Sequence, residues 1–149
     1  MKSLFNKADN DAIINRINQI NNNSNPLWGK MNAAQMLAHC QVPLKVGFGE
    51  VKLKRNLIGI LFGGLAKRTM VNEKPFKKNL PTDKTFIITE HPVLETEKQN
   101  LAGLVQRFTT LGPAGLSNEP HPFFGKLTTD EWDMLSWKHL DHHLRQFGV

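Results

Sequence analysis

Residues 128–149 read TTDEWDMLSWKHLDHHLRQFGV. Thr128 with Glu131 three residues later is a capping-box pattern, in which the hydroxyl and the carboxylate satisfy amides at the start of a helix. The helix is predicted to run to Phe147 and to be closed by Gly148. An α-helix turns about 100° per residue, so the wheel separates its faces. Trp137, Leu140, Leu144 and Phe147 form a tight apolar stripe that must meet a core. Lys138, Asp141 and Arg145 fall on the opposite side. His139 and His143, four apart, project together at about 70–110° from the stripe's centre, the edge of the core. His142 falls about 170° away, among the charged residues, and is expected in solvent.

Two imidazoles at i and i+4 can reach one metal ion, but ordinary boundary histidines show the same spacing. The inner glutamate of HExxH is missing, so this is not a zinc-protease motif. A third histidine, His39, lies in the apolar run AAQMLAHCQV. It reads equally as a core histidine with one hydrogen-bond partner. Three helix-borne imidazoles would suit Zn²⁺, Ni²⁺ or Fe²⁺ and leave coordination positions open. Cys40 points about 100° from His39 and reads as a small buried hydrophobe rather than a ligand. His91 and His121 each precede proline and read as structural, although His121 lies just ahead of the last helix.

The loop Leu111–Lys126 is rich in Gly and Pro, carries Phe123 and Phe124, and leads into the last helix. It can wall a pocket, and Trp132 and Gln146 project near the histidine direction. Trp132, Gln146, Phe124 and His121 are therefore the pocket-lining candidates. No carboxylate falls at a fixed helical offset on the face of His139 and His143, so no catalytic base is assigned.

Working outward, a first helix is expected from Asp9 or Asn10 as cap, with Ile13, Ile17 and Ile20 on one face. The run Asn21–Pro26 breaks it. A second helix opens at Asn32 and carries His39, with Pro43 in or just past it. Leu57–Ala66 (LIGILFGGLA) reads as a buried helix weakened by three glycines. Met70–Pro92 looks irregular, with a strand-like run at Thr85–Thr89 that has no evident partner. A further helix is expected from Leu94 to Phe108, with Leu94, Leu101, Leu104, Val105 and Phe108 in the core. These elements predict an all-α domain over residues 1–149, a four-helix bundle with crossover connections.

The 149 residues are enough for one domain with its own core, and 40% apolar against 21% charged residues is a globular balance. One cysteine excludes an internal disulfide, no signal-peptide pattern is visible, and the longest apolar run is about half a membrane span. The chain is expected to be cytoplasmic and without a membrane span. Its net charge of +6 is concentrated between Lys45 and Lys84, where ten basic residues face three acidic ones. Such asymmetry can mark nucleic acid, anionic lipid or an anionic small ligand as the partner of residues 45–84, and it fits a solvated basic loop as well. No nucleic-acid motif accompanies it, so nucleic acid is not the expected partner. A small-molecule substrate is expected, and a homodimer is admissible.

Several of these segments together resemble a known family. Pro26–Asn32 (PLWGKMN) followed by AAQMLAHC resembles the start of the second helix of DinB-like proteins. His121–Thr128 (HPFFGKLT), then Glu131-Trp132 and WKHLDHHLRQFG, resembles the end of a branch of unknown function. The resemblance covers residues 26 to 147 and implies an up-down-down-up four-helix bundle. It also implies a divalent metal held by one histidine of the second helix, matched by His39, and an HxxxH pair of the last, matched by His139 and His143. Characterised DinB-like relatives include thiol-dependent transferases using bacillithiol or mycothiol and a maleylpyruvate isomerase, and others are labelled metal-dependent hydrolases. The resemblance thus implies a metal-dependent thiol transferase or hydrolase, with a low-molecular-weight thiol as a further cofactor. A non-catalytic metal-binding or stress-response module of the same fold is the alternative, because fold alone does not decide function.

Overall fold

Asn6 opens α1 (Lys7–Gln19), its side chain accepting from the amides of Ala8 and Asp9. The cap is thus three or four residues earlier than the sequence suggested. Asn10 is instead fully buried and donates to the carbonyls of Leu4 and Val105, both at 2.7 Å. Asn32 opens α2 (Ala33–Gly47) with a reciprocal capping box to Gln35, and Pro43 is accommodated within the helix. Then follow α3 (Leu57–Met70), α4 (Leu94–Leu111), a short 3₁₀ turn at Pro113–Gly115, and α5 (Thr129–Gln146). Thr128 and Glu131 form the expected capping box, and Gly148 takes φ 77° just past the end of α5.

This is a computed structural model that describes residues 2–54, 57–72, 74–80 and 86–149, with Ile58 described only in its backbone. Among the described residues there are five α-helices and no strand. Thr85 of the strand-like run lies outside the described residues, as do Arg55, Glu73, Asp83 and Lys84 of the basic segment; Phe86–Thr89 form no strand. No described helix is long and apolar enough to cross a membrane.

The main core lies between α1, α2, α4 and α5. Ile13, Ile17 and Ile20 meet Met36, Leu37 and Leu44 there, with Leu101, Val105 and Phe108 of α4 and Leu140 and Leu144 of α5. Removing this much apolar surface from water, at roughly 25 cal/mol per Å², is the main term holding the helices together. A smaller cluster joins Val46, Leu127, Trp132 and Leu135. Here α2 comes close to α5, and a Cβ on Gly47 would lie 3.3 Å from the Trp132 ring.

Two expectations are corrected. α3 forms but is not buried: Leu57, Leu61 and Leu65 are 77%, 73% and 67% exposed. The polar side of α5 is not in solvent either. Asp141 pairs with Arg16 of α1 at 2.8 Å, and Lys138 is only 6% exposed. Met70, Asn72 and Phe76 lie over Lys138 on that side. Lys138 Nζ donates to the carbonyls of Met70 and Asn72 at 2.7 and 2.6 Å. The outer face of α5 is thus covered by chain with no regular periodicity of its own.

Candidate metal centre

Packing of α2 on α5 places His39 opposite His139 and His143. The ring centroids form a nearly equilateral triangle: 5.0 Å from His39 to His139, 4.8 Å from His39 to His143 and 4.7 Å from His139 to His143. Each ring offers one nitrogen, and these nitrogens all lie within 4.8 Å of one another. The Nε2 atoms of His39 and His139 are 3.1 Å apart. Two ligands of one ion at 2.0–2.1 Å in a tetrahedron stand roughly 3.3 Å apart, so this spacing fits a shared ion.

The hydrogen bonds fix which nitrogen is free. His39 Nδ1 lies 2.8 Å from the carbonyl oxygen of Phe86. A carbonyl only accepts, so Nδ1 carries the proton and Nε2 keeps its lone pair. His143 Nδ1 lies 2.8 Å from Gln146 Oε1. The amide of Gln146 donates through Nε2 to the carbonyl of Trp28, which sets the orientation of its oxygen toward His143. His143 Nε2 is therefore also bare. His139 differs: its Nδ1 is buried and has no hydrogen-bond partner.

Burial lowers the pKa of all three rings, that of His143 to about 3 and that of His139 well below the ordinary histidine value. For His139 the neighbouring histidines add to the effect. The rings are thus held neutral, the form that ligates metals. Three neutral imidazoles, two of them braced through Nδ1 with Nε2 bare, fit a divalent ion of the Zn²⁺, Ni²⁺ or Fe²⁺ kind.

The remaining residues singled out in the sequence are placed as follows. Cys40 is buried, its thiol pushed up in pKa by burial and directed to Met36 Sδ at 3.8 Å. Glu131 caps α5 and pairs with Lys67 at 2.7 Å, away from the histidines. Gln146 braces His143, whereas His121, Phe124 and Trp132 gather in a separate aromatic cluster. There His121 Nδ1 accepts from the amides of Phe123 and Phe124, both at 3.1 Å. His91 is exposed. His142 is half-buried rather than solvated, because Trp28 and Phe76 pack on its ring with centroids 5.7 and 6.1 Å away.

Sequence reasoning missed the parts of the site that come from the main chain. The carbonyls of Phe86 and Trp28 leave no side-chain signature. Gly29 does leave one in principle: it adopts φ +82°, and a Cβ there would lie 2.5 Å from Gln146 Nε2. It lets the chain turn over Gln146 where a side chain would collide.

Fold and site together define an all-helical protein with three convergent, neutral histidines that could hold a metal ion. Over residues 2–148 the chain matches, and belongs to, the family described as Protein of unknown function (DUF1569). No curated protein and no solved structure matches it.

Proposed function

We propose that the protein is a cytoplasmic, single-domain, metal-dependent enzyme acting on a small molecule, of the thiol S-transferase or hydrolase type. In this reading residues 1–149 form a DinB-like four-helix bundle with an up-down-down-up course, and His39, His139 and His143 are the ligands. The shared core of α1, α2, α4 and α5 supports the bundle. The observation that carries the reading is the convergence of three neutral imidazoles, two with their protons held on Nδ1 by oxygen acceptors.

The protein's own contribution is orientation. Phe86 and Gln146 hold the rings of His39 and His143 with Nε2 directed inward. Burial keeps all three unprotonated at neutral pH. A divalent ion in this site would act as a Lewis acid, lowering the pKa of a thiol or water that meets it. Three neutral ligands leave its charge undiminished and leave room for such a group.

One observation favours a second reading, the non-catalytic metal-binding module. Among the described residues, no carboxylate hydrogen-bonds any of the three histidines, so no acid–base partner stands beside them. The experiment is to assay metal-loaded protein against electrophiles with several low-molecular-weight thiols, and against esters and amides, beside its His143→Ala variant. Turnover that disappears in the variant supports the enzyme. Equal background rates throughout, with metal bound only by the parent, establish the module instead.

A further inference from the structure

α3 is turned inside out. Gly59 and Gly63 lie on its buried side, continued by the half-buried Ala66, Lys67 and Met70. The large apolar residues point away: Leu57, Ile60, Leu61, Phe62 and Leu65 are 54–77% exposed. At about 100° per residue the wheel divides cleanly, with Leu57, Leu61 and Leu65 spanning one side and Gly59, Gly63 and Met70 the other.

The close approach at Gly63 makes this orientation a property of the sequence. A Cβ on Gly63 would lie 2.0 Å from the carbonyl oxygen of Phe123, so the chain around Phe123 occupies the space a side chain would need. Rotating α3 to bury its leucines would drive side chains into that backbone. Lys67 fixes the rotation further by donating to the Lys126 carbonyl at 2.9 Å and pairing with Glu131 at 2.7 Å. Lys138 fastens the far end through the Met70 carbonyl.

We propose that the outward face of α3 docks on an anionic membrane surface, the helix lying in the plane of the interface. Contiguous exposed apolar side chains mark an interaction site, and the charge around them selects the partner. Arg68 falls on the same side of the wheel, within about 60° of Leu57, Leu61 and Leu65. Exposed Lys52 and Lys54 precede the helix, and exposed Lys74, Lys77 and Lys78 follow it. Lys54, Arg68, Lys74 and Lys77 form no ion pair with any described residue. An apolar helix face with flanking cations is the combination that partitions into an anionic interface. With 14 residues the helix is about 21 Å long, short of the roughly 30 Å hydrocarbon core, so it lies in the membrane surface rather than crossing it. A second copy of the chain would set Arg68 and the flanking lysines against their own counterparts. Nucleic acid would find an aliphatic face with Phe62 as its one aromatic platform.

The test is flotation of the full chain with phosphatidylcholine vesicles, with and without phosphatidylglycerol, at low and physiological salt. The expected result is binding to the anionic vesicles only, weakened by salt and by Arg68→Glu. Leu61→Ser/Leu65→Ser should lower affinity at least about tenfold, as loss of two partly inserted leucines requires. These exposed substitutions should leave the circular dichroism unchanged, and a Phe62→Trp variant should blue-shift on vesicles. Absence of binding, or binding indifferent to Leu61→Ser/Leu65→Ser, would overturn the proposal. So would a concentration-dependent dimer that this double variant abolishes, or retention by DNA in place of vesicles.

Discussion

Gln146 Oε1 accepts the Nδ1 proton of His143 at 2.8 Å, and the same amide donates to the carbonyl of Trp28. One side chain thus ties a candidate ligand to the segment before α2. Gln146→Leu keeps the volume but removes both bonds, leaving His143 free to change tautomer or turn. Metal affinity should fall by roughly 10–100-fold, the usual effect of losing such a brace. Gly29→Ala should act in the same direction, because its Cβ would press on Gln146 Nε2. Competition against a chelator measures both. Unchanged affinity in Gln146→Leu would show that the bond does not orient the ligand.

The untagged protein should bind one equivalent of divalent metal, and His39→Ala, His139→Ala and His143→Ala should each lose it. His142→Ala should retain it, because that ring packs against Trp28 and Phe76 rather than joining the triangle. Its expected cost is about 1 kcal/mol of stability, the scale of an aromatic pair. Metal at a hundred times its dissociation constant should stabilise the fold by about 2.7 kcal/mol. For a chain of this size that raises the Tm by roughly 5–10 °C, and a chelator should reverse it. Elemental analysis with thermal melts gives both readouts; equal metal loss in His142→Ala and His143→Ala would put the ligand set in the wrong register.

His121 supplies a pH dependence separable from the metal centre. Burial pushes its pKa down to about 4, and Nδ1 is occupied as acceptor for two amides. The unfolded chain takes up this proton near pH 6.5 while the folded one refuses it until about 4. The stability contribution is therefore complete above pH 6.5 and declines as the pH falls through that window, by about 3 kcal/mol in total. His121→Asn keeps an acceptor that can serve the same amides but does not titrate. The difference in unfolding free energy between parent and variant should change across the window by that amount. Urea unfolding at a series of pH values measures it, and parallel curves would refute the assignment. His39, His139 and His143 titrate in both proteins and cancel in the difference.

The cap at Asn32, the capping box at Thr128, the isoleucine face of α1, the core positions of α4 and the direction shared by His139 and His143 were all legible in the sequence. Each depends on local spacing, which a helix preserves. What escaped depends on other parts of the chain. Lys138 and Asp141 stand opposite the stripe of Leu140 and Leu144, and on an isolated helix that side faces water. In the molecule Arg16 of α1 reaches Asp141, and Met70, Asn72 and Phe76 lie over Lys138. A covering segment without periodicity casts no pattern on the helix it covers. The inversion of α3 was hidden similarly: its glycines signalled weakness, whereas Gly63 marks the approach of a carbonyl from 60 residues further along the chain.

Lys138 gives the sharpest test of that covering. Its ammonium donates to the carbonyls of Met70 and Asn72 and lies 4.6 Å from the centre of the Phe76 ring, while burial lowers its pKa. Met70 ends α3, so the cation also meets the negative end of that helix's dipole. Lys138→Met preserves the aliphatic stem and removes the charge. It leaves two carbonyls beneath the covering segment without their donor, which costs about 1–3 kcal/mol. The loss should be local before it is global: residues 70–80 should become open to proteolysis and to rapid amide exchange while the core of α1, α2, α4 and α5 stays protected. Because Phe76 also packs on His142, that ring should become more accessible in the variant. Limited proteolysis with peptide mapping distinguishes the outcomes. If cleavage in residues 70–80 is no faster than in the parent, the lysine is not what holds this segment to α5.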